Sequence, residues 1–415
     1  MSGGDSGQSM AKIAVVDLMF HWPPHGGACT DLRETFNRLQ QRGHQVSLFV
    51  PHFTDIWPRG RVRGEGLDFP FKLIKFDSAT FHRQHLPQRF RQEVDQFKPD
   101  YIFLGDSTFL KPYLIEAFKD YPIIARFYTY ELICFKYYEY FRYKKRCNRS
   151  YLTHPIRCLL CSLYAMGKPL LTGRYELWSH EFVVGRSFYP GYYRRVVDAL
   201  RKCQVAIVYN KNIKKLLDGY CPRVVVIPGG VDISRFPFGK WNKPSSPKGV
   251  RIVFSGRAND KRKGLPVLIK AGKILRERKI DFQLLVTTQR PFREPWIKPL
   301  GWLTHEALIQ ELLQSDIAVV PSVWEEPFGM VAVEAMACGL PVVASRVGGL
   351  QEIVEEGATG FLVEPMDYQT MADRLETLCR SEKLRESMGK AGRKRAEELY
   401  DWDTIVDTYY PSIFA

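Results

Sequence analysis

The stretch that most limits what this chain can be begins at Asp316 to Val320 (DIAVV) and continues as PSVWEEPFGMVAVEAMACGLPVVASRVGG, from Pro321 to Gly349. A short run of β-branched residues with no polar break suits a strand of a parallel sheet covered on both faces. Two carboxylates follow in a loop, Glu325 and Glu326, then Pro327, and from Gly329 the residues Met330, Val331, Val333, Met336 and Ala337 are apolar on almost every side. That is the pattern of a largely buried helix ending at Gly339. One carboxylate, Glu334, sits inside it. A buried carboxylate is costly unless donors satisfy it. The two vicinal hydroxyls of a ribose would do so, and so would an ordinary salt bridge. Ahead of Glu334 the unpaired backbone N–H groups of Phe328, Gly329 and Met330 point out of the helix end, where the helix dipole favours anionic or strongly polar groups.

The rest of the chain repeats this strand-then-helix grammar. Lys12 to Asp17 reads as a first strand, and Gly26-Gly27 leads into a helix starting near Ala28 or Cys29. Gln45 to Val50, Phe71 to Phe76, Tyr101 to Leu104 and Pro122 to Arg126 continue as strands, with helices such as His82 to Phe97 between them. Alternation of this kind predicts a doubly wound α/β sheet. Val205 to Tyr209 and Val224 to Ile227 close that first sheet, and Arg251 to Ser255 opens a second. At 415 residues the chain has room for two such domains. A strand ending in Ser255-Gly256-Arg257 places the guanidinium at the carboxyl edge of the second sheet, where open α/β sheets bind ligands, and the basic loop Lys261, Arg262, Lys263 follows.

The spacing E-x7-E of Glu326 and Glu334, set in EPFGMV, EAMA and PVVAS and followed by VGG and EIV, resembles the retaining glycosyltransferases of family 4. The resemblance is dense over the C-terminal half and thin over the N-terminal half. It implies the GT-B architecture: an α/β protein with two Rossmann-like domains whose parallel sheets face across a cleft, and a C-terminal helix crossing back to the first domain. By that resemblance residues 10–228 form an acceptor-binding domain, 229–400 a nucleotide-sugar-binding domain, and 401–415 the returning helix. Arg257 and Lys263 are then the cations on the donor diphosphate, with Lys261 a rival to Lys263. Glu326 orients the donor sugar and Glu334 the ribose. The amides of Phe328, Gly329, Met330 and Val331 serve the hydroxyls and phosphate. Gly301, Trp302 and Leu303 fall where related enzymes hold the base, and Gly26 and Gly27, the glycine loop of the first domain, complete the donor-binding set.

The implied activity is hexosyl transfer from a nucleotide diphosphate sugar to a glycan or lipid-linked acceptor. It is a cell-envelope polysaccharide type of reaction that needs no cofactor, the cations replacing a metal. A departure from the family lies at ARFYTYE, where members carry a histidine; Asp106 and Tyr128 are the candidates for its place. The competing reading is a non-catalytic sugar or polyanion binder on the same fold, against which Arg257, Lys263, Glu326 and Glu334 together argue.

Between about residues 131 and 175 an insertion interleaves cations with aromatics, most densely from Lys136 to Tyr151. With a formal charge of +15 this points to an anionic partner, a membrane surface or a polyanion, rather than a specific nucleic-acid site; a solvated basic face is the alternative. The sequence shows neither a run of 18 apolar residues nor a signal core, so the expected location is the cytoplasm, peripheral on the inner face of a membrane. The insertion also holds Cys134, Cys147, Cys158 and Cys161, the last two as C-x-x-C. These are a candidate structural zinc site, with buried thiols as the alternative.

Overall fold

A computed structural model describes residues 10–415 except 25, 54, 56–58, 64, 137–140, 143–144, 173–176 and 239–248. The chain divides into two compact units, one comprising Met1–Tyr138, Asn148–Ile227 and Val406–Ala415, the other Glu139–Cys147 and Pro228–Ile405.

The first unit carries a seven-stranded parallel sheet formed by β1 (Lys12–Val16), β2 (Gln45–Phe53), β3 (Phe71–Phe76), β4 (Tyr101–Leu104), β5 (Ile123–Phe127), β8 (Val205–Val208) and β9 (Val224–Val226). Their order is β3-β2-β1-β4-β5-β8-β9. A short antiparallel ribbon, β6 (Phe141–Arg142) and β7 (Lys145–Arg146), lies between β5 and β8 in sequence but is grouped with the second unit. Parallel neighbours need crossovers, and helices such as Gly27–Gln41 and His85–Phe97 supply them. The chain's last residues return to this unit: Arg42 pairs with Asp407, Arg223 donates to the Ser412 carbonyl at 2.8 Å, and Phe414 lies edge-on to Tyr101.

The second unit carries a six-stranded sheet with strands β10 (Val250–Phe254), β11 (Phe282–Val286), β12 (Ile297–Pro299), β13 (Ile317–Val320), β14 (Val342–Ser345) and β15 (Gly360–Val363). Their order is β12-β11-β10-β13-β14-β15, again all parallel. Ile252, Phe254, Leu284, Val286, Ile317 and Val343 are buried against Leu268, Leu275 and Leu375 of the covering helices. Each such side chain contributes about 1.5–3 kcal/mol by leaving water. The strand order reverses at β10, which has β11 on one side and β13 on the other. Chain leaving the carboxyl ends of these strands in opposite directions opens a crevice there, and that crevice positions the site.

The helix Met330–Ala337 runs as the sequence suggests, and its end is defined by two bonds, Leu340 N–H to the Ala335 carbonyl and Gly339 N–H to the Met336 carbonyl. This is a Schellman arrangement, for which Gly339 takes φ +71°. The Asp-Trp-Asp at 401–403 is a helix cap, since the Asp401 carboxylate accepts from the amides of Asp403 and Thr404. The expected linker from Lys240 to Lys248 lies outside the described residues.

The four cysteines of the expected zinc site do not share one element. Cys158 and Cys161 share the helix Pro155–Thr172, Cys134 follows the turn after β5, and Cys147 follows β7. Among the described residues no three His, Cys, Asp or Glu side chains form a metal-holding group, and none of the four cysteines is in a disulfide.

Candidate active site

The site starts where β10 ends. Gly256 takes φ +135°, a conformation side chains rarely adopt, and its amide donates to Thr287 Oγ1 at 2.9 Å while that hydroxyl donates back to the Gly256 carbonyl at 2.8 Å. The carboxyl ends of β10 and β11 are thereby tied together. Arg257 leaves this edge with its side chain 63% exposed and its guanidinium 3.9 Å from Asp260, too far for a hydrogen bond. Asp260 is instead held by Arg262 through two bonds of 2.9 and 2.8 Å. Burial opposes ionisation of Asp260, but the Arg262 bonds outweigh it and hold the carboxyl below its ordinary range.

Arg257, Ala258, Asn259 and Asp260 form one wall of a cavity of about 530 Å³, closed by Thr287, Thr288, Gln289, Arg290 and Trp302. Gly301, at φ +78°, turns the chain after β12, and its amide donates to the Thr288 carbonyl at 2.9 Å. The turn leaves Trp302 72% exposed over the cavity and Leu303 half-buried behind it. Two guanidinium groups and an indole face round one cavity favour an anionic ligand with a flat ring.

Downstream of Arg257 the turn Lys261–Lys263 ends at Gly264, whose φ is +78° and where a Cβ would sit 1.7 Å from the Pro321 carbonyl oxygen. That close approach brings the turn onto the loop after β13, fixed by the Val323 amide donating to the Arg262 carbonyl at 2.8 Å. Lys263 consequently reaches both oxygens of Glu326 at 3.0 Å. Ser322 and the Trp324 indole N–H donate to the same carboxylate at 3.0 and 2.8 Å. Glu326 is buried, and its charge is balanced by one cation and two neutral donors. Of the two rival lysines, Lys263 is the one engaged here; Lys261 is exposed.

Glu325 faces the other way, accepting from the Gly348 amide at 2.9 Å. Glu334 is buried in the helix, with Oε1 3.1 Å from His305 Nε2. That bond to Glu334 raises the His305 pKa above its ordinary value, against the effect of burial. At the helix start Phe328 is buried, Gly329 takes φ +127°, and Met330 and Val331 are half-buried.

Sequence reasoning named Arg257, Lys263, Glu326, Glu334 and the 301–303 turn, and the structure brings Lys263 to Glu326 and Arg257 to Trp302. It did not name Ser322, Trp324, His305, Arg290 or the Thr287–Gln289 edge. Trp324 stands two residues from Glu326, which was the available signal; nothing marks His305 beyond its place at the start of a helix.

Gly26 and Gly27 belong to the first unit, exposed at the start of the helix Gly27–Gln41. At the carboxyl edge of that unit's own sheet lies a second group of buried polar residues. Asp17 accepts from the amides of Asp106 and Met19, both at 2.8 Å, and burial together with the Asp106 charge pushes its carboxyl up to about 7. Arg126 pairs with Asp31 at 3.0 Å and stacks over Tyr209. Tyr128 follows β5, buried, at the place where the resemblance led us to expect a histidine.

The family model described as Glycosyltransferase Family 4 matches residues 25–235, and that of Glycosyl transferases group 1 matches 238–395. D-inositol 3-phosphate glycosyltransferase of Paenarthrobacter aurescens is 36% identical over 198 residues, 43% of this chain and 48% of that protein. Phosphatidyl-myo-inositol mannosyltransferase of Mycobacterium leprae is 32% identical over 190 residues, 44% of this chain and 50% of that one. The chain thus spans about half the length of the curated relatives it matches.

Among solved structures, sucrose-phosphate synthase of Thermosynechococcus elongatus superimposes with a TM-score of 0.67 at 20% identity, covering 97% of this chain and 99% of that one. Anabaena HepE in complex with UDP gives 0.67 at 18% identity with the same coverage. The fold is GT-B, with its two Rossmann-like domains, and with a family model matching residues 25–235 the chain belongs to glycosyltransferase family 4.

Proposed function

We propose that the protein transfers a hexosyl group from a nucleotide diphosphate sugar to a glycan or lipid-linked acceptor with retention of anomeric configuration. One observation carries the reading. Within one domain, a cavity lined by Arg257, Arg290 and Trp302 adjoins a turn that delivers Lys263 to the buried carboxylate of Glu326. A binder of neutral glycan has no use for that much cation at a sheet edge; a donor diphosphate does. Similarity to named glycosyltransferases supports the same class, and the Anabaena HepE structure is a complex with UDP.

In this proposal the base and ribose occupy the region of Gly301, Trp302, Leu303 and Glu334, and the diphosphate meets Arg257 and Lys263. The sugar hydroxyls meet Glu326 and the amides of Phe328 to Val331. The acceptor oxygen bonds to the anomeric carbon as the bond from that carbon to the phosphate oxygen breaks on the same face. The acceptor proton passes to the departing phosphate. Negative charge grows on the diphosphate, and Arg257 and Lys263 stabilise it in the role a metal ion plays elsewhere. In the first unit Gly26 and Gly27 are assigned to the donor, and Asp17, Asp106 and Tyr128 to the acceptor. The basic composition supports a cytoplasmic enzyme held at the face of an anionic membrane. Among the described residues no helix is long and apolar enough to cross one.

A panel of nucleotide sugars tests the reading, scored by thermal shift and by release of the nucleoside diphosphate. At least one donor should raise the melting temperature and lose its sugar in the presence of acceptor. A panel in which no nucleotide sugar binds would overturn it.

A further inference from the structure

The helix Pro155–Thr172 in the first unit turns an apolar face to solvent. Ile156, Leu160, Leu163, Tyr164 and Leu171 are all exposed, Tyr164 at 84% and Leu171 at 90%, while Ser162 and Met166 on the far side are fully buried. At 100° per residue these five positions, with Gly167 between them, fall within an arc of about 100°, and Arg157, also exposed, lies at its edge. A stripe this wide is unusual on a helix surrounded by water, and five large side chains on one face are more than scattered exposure explains. Its own stretch of chain carries charge of one sign: residues 148–175 contain four Lys and Arg and no Asp or Glu.

We propose that this face is the surface by which the protein lies on an anionic bilayer, with the five apolar side chains in the acyl boundary and the cations of the same segment, Arg149 and Arg157 among them, at the headgroups. Apolar area and basic charge act together in such contacts, and neither suffices alone. The helix has 18 residues but is amphipathic, so it lies in the interface and does not span it. This names the membrane-facing element that the composition leaves open. In the run from Lys136 to Tyr151, residues 137–140, 143 and 144 lie outside the described residues, and the apolar contribution comes instead from the helix that follows. The inference rests on the membrane location proposed above and concerns a surface, not the donor site, so its failure leaves hexosyl transfer untouched and a failed donor panel leaves vesicle binding untouched.

The test is co-sedimentation of the full chain with vesicles of phosphatidylcholine containing about a third phosphatidylglycerol. Affinity should fall about tenfold or more on vesicles of phosphatidylcholine alone, and likewise at high salt. Leu160→Asp with Tyr164→Asp should reduce binding to anionic vesicles by about tenfold or more. A pair with the same charge change on the second unit, Tyr368→Asp with Leu399→Asp, both exposed, should leave binding nearly unchanged. Should the helix variant fail to fold, hydrogen exchange on the wild type decides: amides of 155–172 should gain protection on anionic vesicles. Equal loss from both pairs, absence of vesicle binding, or no added protection would overturn the proposal. So would a dimer in sedimentation velocity that the helix variant dissolves, which would assign the face to a second copy of the chain.

Discussion

Replacing Lys263 by alanine should destabilise the loop after β13 by an amount the geometry bounds. Lys263 contacts both oxygens of Glu326 at 3.0 Å, and Glu326 is buried. Removing one partner of a fully buried pair costs about 3–5 kcal/mol, because the other charge is left uncompensated. Two features lower the figure here. The Lys263 side chain is 22% exposed, so water can partly replace it, and Ser322 and Trp324 keep their bonds to Glu326. The expected cost is about 1–3 kcal/mol. Lys263→Met combined with Glu326→Gln removes both charges and should recover most of it, a coupling of about 1 kcal/mol or more. Two-domain chains do not unfold in one step, so the readout is native-state hydrogen exchange of the peptide covering 321–330, which reports local opening. A single variant costing under about 0.3 kcal/mol would show that the pair contributes no more than an exposed ion pair. A double variant as unstable as the sum of its parts would show that the charges do not act on each other.

Two further outcomes follow from the same domain. Gly264→Ala forces a Cβ to 1.7 Å from the Pro321 carbonyl at a positive φ. It should cost more than about 1 kcal/mol and open the same peptide, whereas unchanged exchange would mean that the turn does not pin the loop. The His305–Glu334 pair gives a pH dependence. Its folded pKa is raised, chiefly by the Glu334 bond and against burial, with Arg235 lowering it and Glu306 raising it. The stabilisation is therefore complete below the unfolded value of 6.5 and is lost as pH rises through the raised folded value. His305→Gln should flatten the second unit's stability profile as pH rises above the unfolded value of 6.5, and an unaltered slope would remove His305 as its source.

Much of this architecture is readable from local pattern. Phe71–Phe76, Tyr101–Leu104, Phe282–Val286 and Gly360–Val363 coincide with the strands expected, because buried parallel strands are short unbroken apolar runs whose ends are marked by turn residues. The helix at Met330 and the cap at Thr304, whose hydroxyl accepts from the Ala307 amide, follow from residue chemistry that acts within a few positions. What pattern could not show is which distant groups meet. Lys263 and Glu326 are 63 positions apart and meet only because Gly264 permits a close approach of two backbones. Arg262 looks interchangeable with its neighbours in sequence, yet it is committed to Asp260, and that leaves Arg257 facing the cavity. Around Cys158 and Cys161 the cysteine spacing drew the eye, while the helical period of Ile156, Leu160, Leu163 and Tyr164, which marks the exposed apolar face, went unread.

The central claim is that Arg257 stabilises charge on the leaving diphosphate, and transfer kinetics of Arg257→Ala with a chelator in every reaction test it most directly. An interaction stronger in the transition state than in the bound donor affects kcat more than the donor KM. The account predicts a kcat about 100- to 1000-fold below wild type, with wild-type transfer unaffected by the chelator. An Arg257→Ala protein with near-normal kcat, or wild-type activity that vanishes with the chelator and returns with manganese, would contradict it.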